Sequence, residues 1–345
     1  MSDKILVVDP ICKPGHASFN ATCIRALVSQ GFEVTFVGVR DFLPMDVRAL
    51  CARVLCFPPD VTARKGKFLS RLVILARLGR LRSLVDVASW GAVLLTDFEE
   101  TTLFVSRFFS GSTYCVCHGT VEHMGSQLKR ACAHGIFKHA TAIAFNAHIG
   151  EGLKVAGIGR VVVSPHGLPT PFVPPADLVQ RKMDLAGGRR VVVIPSVGEA
   201  DVAFLAKLAH SERFLRFLGE QNLLLVARGD AFSGSLPGVH VLRGFLTAEE
   251  YQRLFLVADL VFIPYSMTLR HRVSNVLFEC FANRVPAVIL KSQGLAQFRS
   301  HFCYDPFVET EADLIAFLER FFSARGDFGF KDLDQLAPQF GFLRG

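Results

Sequence analysis

Short apolar runs separated by stretches of helical spacing recur along almost the whole chain, and this alternation limits the fold more than any other feature. Lys4 to Val8, Glu33 to Gly38, Val54 to Phe57, Ala92 to Thr96, Thr113 to Cys117, Thr141 to Phe145 and Arg160 to Ser164 read as strands. Helical stretches lie between them, near 17–30, 67–84, 100–110, 121–135 and 147–156. Near-continuous apolar strands that alternate with helices predict parallel sheets covered on both faces. The rhythm breaks at Pro165-His-Gly-Leu-Pro-Thr-Pro-Phe-Val-Pro-Pro, with five prolines in eleven residues. It resumes at Arg189-Arg-Val-Val-Val-Ile and continues through Asn222 to Ala227, Val239 to Leu242, Asp259 to Ile263 and Pro286 to Leu290. The expected organisation is a first Rossmann-like domain over 1–165, a linker over 166–188 and a second over 189–330, with a tail over 331–345. Ligands of such sheets bind at the carboxyl ends of the strands, so two doubly wound domains are expected to face each other across a cleft.

The chemistry is densest between Asp259 and Ile289. Leu260 to Ile263 reads as a buried strand ending at Pro264, and a loop with Arg270, His271 and Arg272 follows. Ser274 then opens a helix in which Val276, Leu277, Cys280 and Phe281 recur at helical spacing. A serine at a helix start, with the amides of the first turn and nearby guanidinium groups, is an anion site. Glu279 lies deeper in that helix, where an unpaired buried carboxylate is costly. Its expected partner is a cation or a ligand hydroxyl. Together these features fit a sugar nucleotide, with phosphates on the helix start and ribose on Glu279. A solvated helix carrying a surface glutamate is the alternative.

Half of the residues are hydrophobic, enough for two full cores, and no apolar run approaches the roughly 18 residues of a membrane span. The nine cysteines contain no Cys-x-x-Cys pair and read as core residues of a reducing, cytoplasmic setting. Met1-Ser-Asp-Lys leads into a strand rather than a signal-peptide core. Charge is concentrated. Arg64, Lys65, Lys67, Arg71, Arg77, Arg80 and Arg82 fall between Val61 and Val85 with no acid among them, and they account for the whole net charge of +7. Phe68, Leu69, Leu72, Val73, Leu75, Ala76 and Leu78 are interleaved with them. Such a basic amphipathic helix fits an anionic membrane surface, and a solvated covering helix equally. Nucleic acid is not expected as a partner, because the stretch has one aromatic and no recognised binding module.

The 259–289 block resembles the nucleotide-binding segment of the GT-B glycosyltransferases, most closely the retaining group called glycosyltransferase family four. In that pattern an aspartate precedes an apolar strand, and Pro-Ser or Pro-Tyr, a loop and a Glu-containing helix ending in Gly-x-Pro-x-Ile follow. Further likenesses follow in order along the chain. Ile5-Leu-Val-Val-Asp9 with Pro14-Gly15-His16 is similar to the family's opening strand and glycine loop. Tyr114-Cys-Val-Cys-His118-Gly119 is similar to its strand ending in His-Gly, and Val161-Val-Val-Ser-Pro-His166-Gly167 to the strand that ends its first domain. Leu242-Arg243-Gly244-Phe245-Leu-Thr-Ala-Glu-Glu-Tyr resembles a block that lies against the nucleotide base. Gly-x-Gly-x-x-Gly is absent, which disfavours a dehydrogenase.

The resemblance implies a nucleotide-sugar donor, a glycan or lipid-linked acceptor as in polysaccharide biosynthesis, retention of configuration, and a tail over 331–345 that crosses back to the first domain. It implies catalytic roles for His118 and Arg272, with His118 bonding a sugar hydroxyl rather than acting as base. Arg270, His271, Ser274, Asn275, Glu279, Arg243, Gly244, Phe245 and Ser196 are expected around the donor. Gly15, His16, Asp97 and Glu99 are expected near acceptor or diphosphate, and Lys67, Arg71, Arg77, Arg80 and Arg82 at a membrane. Plainer readings stay open for several of these: a backbone-bonded strand-end histidine at 118, a simple turn at 15–16, and acids favoured at a helix start at 97–100. No cofactor or metal is called for, since no Asp-x-Asp stands in a cleft position. Two departures from the family pattern are visible. His271 stands where the family has a second glutamate, and Pro195-Ser196-Val-Gly198-Glu-Ala-Asp lacks the family's diphosphate-binding cations. A non-catalytic GT-B binding protein and a sugar-nucleotide epimerase are the rival readings.

Overall fold

The computed structural model describes residues 3–13, 15–57, 67–86, 89–196, 202–228, 236–244, 246–265, 270–323 and 327–344. The chain divides into two compact units. The first comprises Met1–Pro169, His271–Val273 and Asp334–Gly345; the second comprises Thr170–Arg270 and Ser274–Leu333.

The first unit contains β1 (Lys4–Val8), β2 (Glu33–Val39), β3 (Arg53–Phe57), β4 (Ala92–Leu95), β5 (Thr113–Val116), β6 (Thr141–Ala144) and β7 (Val161–Val163). They form one parallel sheet in the order β3-β2-β1-β4-β5-β6-β7. The second unit contains β8 (Arg190–Ile194), β9 (Leu223–Arg228), β10 (Val239–Leu242), β11 (Leu260–Ile263), β12 (Ala287–Leu290) and β13 (Phe307–Val308). Its parallel order is β10-β9-β8-β11-β12-β13. In each sheet the order reverses beside the first strand, between β1 and β4 and between β8 and β11, which is the doubly wound arrangement.

Strand periodicity explains the double cover. In β8, Val191 and Val193 join one apolar cluster with Leu224, Val226 and Leu254, while Val192 and Ile194 join another with Leu225, Phe214 and Leu314. Successive side chains point to opposite faces, so both faces demand helices. The expected strands all form. The two-residue β13 is too short to announce itself as an apolar run. The helix expected near 121–135 splits into Thr120–His123 and Gln127–Phe137, with Gly125 in the break. Among the described residues no helix is long and apolar enough to cross a membrane.

The last segment completes the first unit. Gln30 Nε2 donates to Pro338 O at 3.1 Å and Gln30 Oε1 accepts from Phe340 N at 3.0 Å, while Phe340 and Leu343 enter the first core. Gly167 makes this approach possible. Its φ is +87°, and an added Cβ would lie 2.5 Å from both Pro338 Cγ and Thr22 Cγ2. Gly167→Ala is therefore expected to destabilise the first unit by about 3 kcal/mol, through strain at positive φ and overpacking. The check is thermal unfolding, and a variant that melts with the wild type contradicts this packing.

Candidate active site

In the first unit the reversal of strand order brings together the loops that follow β1 and β4. After β4, Asp97 is buried, and its Oδ2 lies 3.0 Å from Lys13 Nζ and 3.2 Å from His16 Nδ1. His16 opens the helix His16–Ser29, and its ring centroid lies 4.7 Å from that of His118 at the end of β5. Gly15 caps this helix with φ −71°, and open space lies where a Cβ would stand, so no contact within the chain requires glycine there. Burial lowers the pKa of His16, against the pull of Asp97, and the ring is therefore neutral at pH 7.

His118 is fixed by the backbone. Its Nε2 pairs with Thr96 O at 2.9 Å, which makes Nδ1 the acceptor nitrogen of a neutral ring. Burial pushes its pKa down to about 4. Phe19 and Phe145 flank it at 5.0 and 5.1 Å. His166 sits in the same aromatic group, buried, with Nδ1 on Gly167 O, and is a core residue.

The loop carrying Lys13 and His16 rests on two buried groups, Asp9 and Arg77, for which the sequence suggests no such supporting role. Asp9 Oδ1 accepts from Ile11 N at 3.0 Å and Cys12 N at 2.6 Å, and its Oδ2 accepts from Asn20 Nδ2 at 2.7 Å. Burial, then the nearby Asp97, raise its pKa. Arg77 Nη1 donates to Pro10 O at 2.7 Å, and Arg77 is only 5% exposed. This corrects its placement in a membrane patch. Arg77 shares the inner face of its helix with Ile74, Leu78 and Leu81, where a long side chain can satisfy a loop carbonyl.

Glu99 also has a structural role. It caps the helix Glu100–Ser106 by accepting from Thr102 N at 2.9 Å, and pairs with Arg71 at 3.0 Å. The carboxylate expected near the acceptor is thus committed to the cap and Arg71, in line with the plainer helix-start reading. Neighbouring Glu100 is buried against His123 at 2.7 Å and Lys129 at 3.3 Å. Burial pushes its pKa up, but these partners outweigh it and hold the carboxyl below its usual range.

Residues His271–Val273 group with the first unit. His271 N donates to Glu122 Oε1 at 2.9 Å, and the His271 ring stacks on His148 at 4.8 Å. Arg272 Nε lies 3.7 Å from Glu122, and an added Cβ at Gly119 would meet that guanidinium at 2.9 Å. Arg272 therefore covers the glycine that follows His118, and the two residues expected in catalysis are neighbours.

In the second unit, Ser274 caps the helix Asn275–Asn283, its Oγ accepting from Leu277 N at 3.3 Å. Glu279 is buried. Tyr251 Oη donates to its Oε2 at 2.5 Å and Asn275 Nδ2 to its Oε1 at 2.8 Å. The expected partner was a cation or a ligand hydroxyl, but the protein supplies a phenol and an amide. Burial dominates and pushes the pKa of Glu279 up to about 7. Ser196 is half-buried beyond β8, and Arg270, Arg243 and Gly244 are exposed, Gly244 with φ +83°. Phe245, Gly198 and the Lys67 side chain lie outside the described residues. Among the described residues no group of three or more His, Cys, Asp or Glu could hold a metal ion.

No protein-family model matches the chain, and no curated protein matches it by sequence. Solved structures match it in fold. HepE of Anabaena, in complex with UDP and glucose, gives a TM-score of 0.61 at 14% identity, over 97% of this chain and 91% of that one. A glycosyltransferase from Rickettsia africae gives 0.60 at 11%, over 97% and 90%. The fold is GT-B. A candidate UDP-N-acetylglucosamine 2-epimerase from Listeria monocytogenes gives 0.60 at 13% identity, over 98% and 91%. GT-B likeness at this level of identity does not single out family four.

Proposed function

We propose that this protein transfers a glycosyl group from a nucleotide-sugar donor to a hydroxyl of a glycan or lipid-linked acceptor, with His16 as the general base. The His16–Asp97 pair carries this reading. An acceptor hydroxyl is a poor nucleophile until a base takes its proton. A neutral imidazole with a buried carboxylate oxygen 3.2 Å from its Nδ1 leaves Nε2 to accept that proton, and the carboxylate then balances the imidazolium. Lys13 Nζ sets a cation 3.0 Å from the same carboxylate oxygen.

Several features of the second unit support donor binding. Ser196, Arg270 and Ser274 follow the two strands that flank the reversal of order, where ligands of doubly wound sheets lie. The helix start at Ser274, with Arg270, suits a diphosphate. An ionised Glu279 carboxylate has lone pairs beyond those taken by Tyr251 and Asn275, enough for ribose hydroxyls. A base at the acceptor serves a single displacement, which inverts the anomeric centre, whereas the family-four resemblance implies retention.

The test is calorimetry with uridine, guanosine and adenosine diphosphate sugars, followed by NMR of the first-formed product from a panel of acceptors, with and without EDTA. Binding, metal-independent transfer and an inverted anomer are expected. Binding without turnover on any acceptor would instead identify a non-catalytic binding protein, and no binding at all would end the sugar-nucleotide reading.

A further inference from the structure

The helix Lys67–Leu84 is apolar on two sides, although the core needs only one. Its inner face, with Ile74, Leu78 and Leu81, is buried in the first unit. On the opposite side Phe68, Leu69 and Leu72 are 72%, 36% and 48% exposed. The outer stripe continues at helical spacing through exposed Ala76 and Gly79 to exposed Arg80 and Ser83, with Arg82 at its edge. A helix that merely covers a core carries polar residues on its outer face. This one has large apolar groups at its start and cations towards its end, in the stretch that supplies the protein's whole excess of positive charge.

We infer that this outer stripe docks on an anionic membrane surface, with Phe68, Leu69 and Leu72 entering the headgroup boundary and Arg80 and Arg82 meeting lipid phosphates. An apolar face bordered by cations with no intervening acid complements an anionic leaflet in both respects. The docking end is also the reactive end of the sheet. Arg71, in the first turns of this helix, pairs with Glu99, two residues beyond Asp97. Combined with the function proposed above, on which this step rests, the acceptor is a lipid presented at that surface.

The experiment is flotation with phosphatidylglycerol–phosphatidylcholine vesicles, without any sugar nucleotide. The wild type is expected to float with anionic vesicles and to leave them as salt rises from about 0.1 to 0.5 M. Phe68→Ser with Leu72→Ser, and separately Arg80→Glu with Arg82→Glu, should each lower partitioning at least about tenfold. All four positions are exposed, and among the described residues the one bond lost is a surface one from Arg82 Nη1 to Ser106 O at 3.4 Å, so the melting temperature should move little. A wild type that does not float, or variants that float as well as it does, overturns the inference. So does retention on heparin or RNA without flotation. Donor turnover on a soluble acceptor without flotation removes the membrane step and keeps the transferase, whereas flotation without donor binding does the reverse.

Discussion

His16→Ala is expected to lower kcat about 10²- to 10⁴-fold, the usual range for loss of a positioned general base, with donor KM nearly unchanged. His16 lies beside Asp97 in the first unit, whereas the donor contacts proposed here belong to the second, which is why binding and turnover should separate. The rate should fall as pH drops through the His16 pKa, which burial places below the ordinary 6.5. Asp97 raises that pKa, so Asp97→Asn should move the acid limb to still lower pH. It should also lower kcat, because the imidazolium loses its counter-charge. Steady-state rates across pH with a competent donor and acceptor make the check. An unchanged kcat in His16→Ala would remove the base while leaving the nucleotide site untouched.

Glu279→Gln is expected to weaken nucleotide binding while strengthening the fold at alkaline pH. The folded pKa of Glu279 is raised from 4.5 to about 7, so the folded chain holds a proton that the unfolded chain has already released. Between those values the folded state binds more protons, and stability falls as pH rises through that window. Above it the wild type carries the full cost of a buried anion. The glutamine variant never pays it, and should be more stable than wild type by about 3 kcal/mol at pH 8 with little difference at pH 4. Ribose hydroxyls would meanwhile lose an anionic acceptor, which costs about 1.5–3 kcal/mol, or roughly tenfold to a hundredfold in affinity. Denaturant melts at several pH values and calorimetry on the same samples test both halves. A pH-independent stability difference would refute the raised pKa, and unchanged nucleotide affinity would refute the ribose role.

Much of this molecule was legible from sequence because each buried strand of a parallel sheet is an uninterrupted apolar run. β4, β8 and β11 could be read in this way. The anion-suited helix start was legible too, since Ser274 precedes a helical apolar pattern. What escaped depended on side-chain direction across elements distant in the chain. Arg77 falls in a run of basic residues, and only the phase of its helix turns it towards Pro10. Lys13 and Asp97 are far apart in sequence, and their meeting follows from β1 and β4 being neighbours, which no local pattern states. The Tyr251–Glu279 bond joins two separate helices. The one available signal was that a glutamate deep in an apolar helix must have a partner, and it did not say which.

Phe340 and Leu343 lie in the same core as Ile5 and Leu6, although the second sheet is encoded between them. Synthesis must therefore pass residue 343 before the strands of the first sheet can reach their final packing, whereas the second unit lies within Thr170–Leu333. Chains truncated after residue 333 and released from the ribosome should hold a protease-resistant second unit and a loosely assembled first one, a natural checkpoint at which chaperones would find their client.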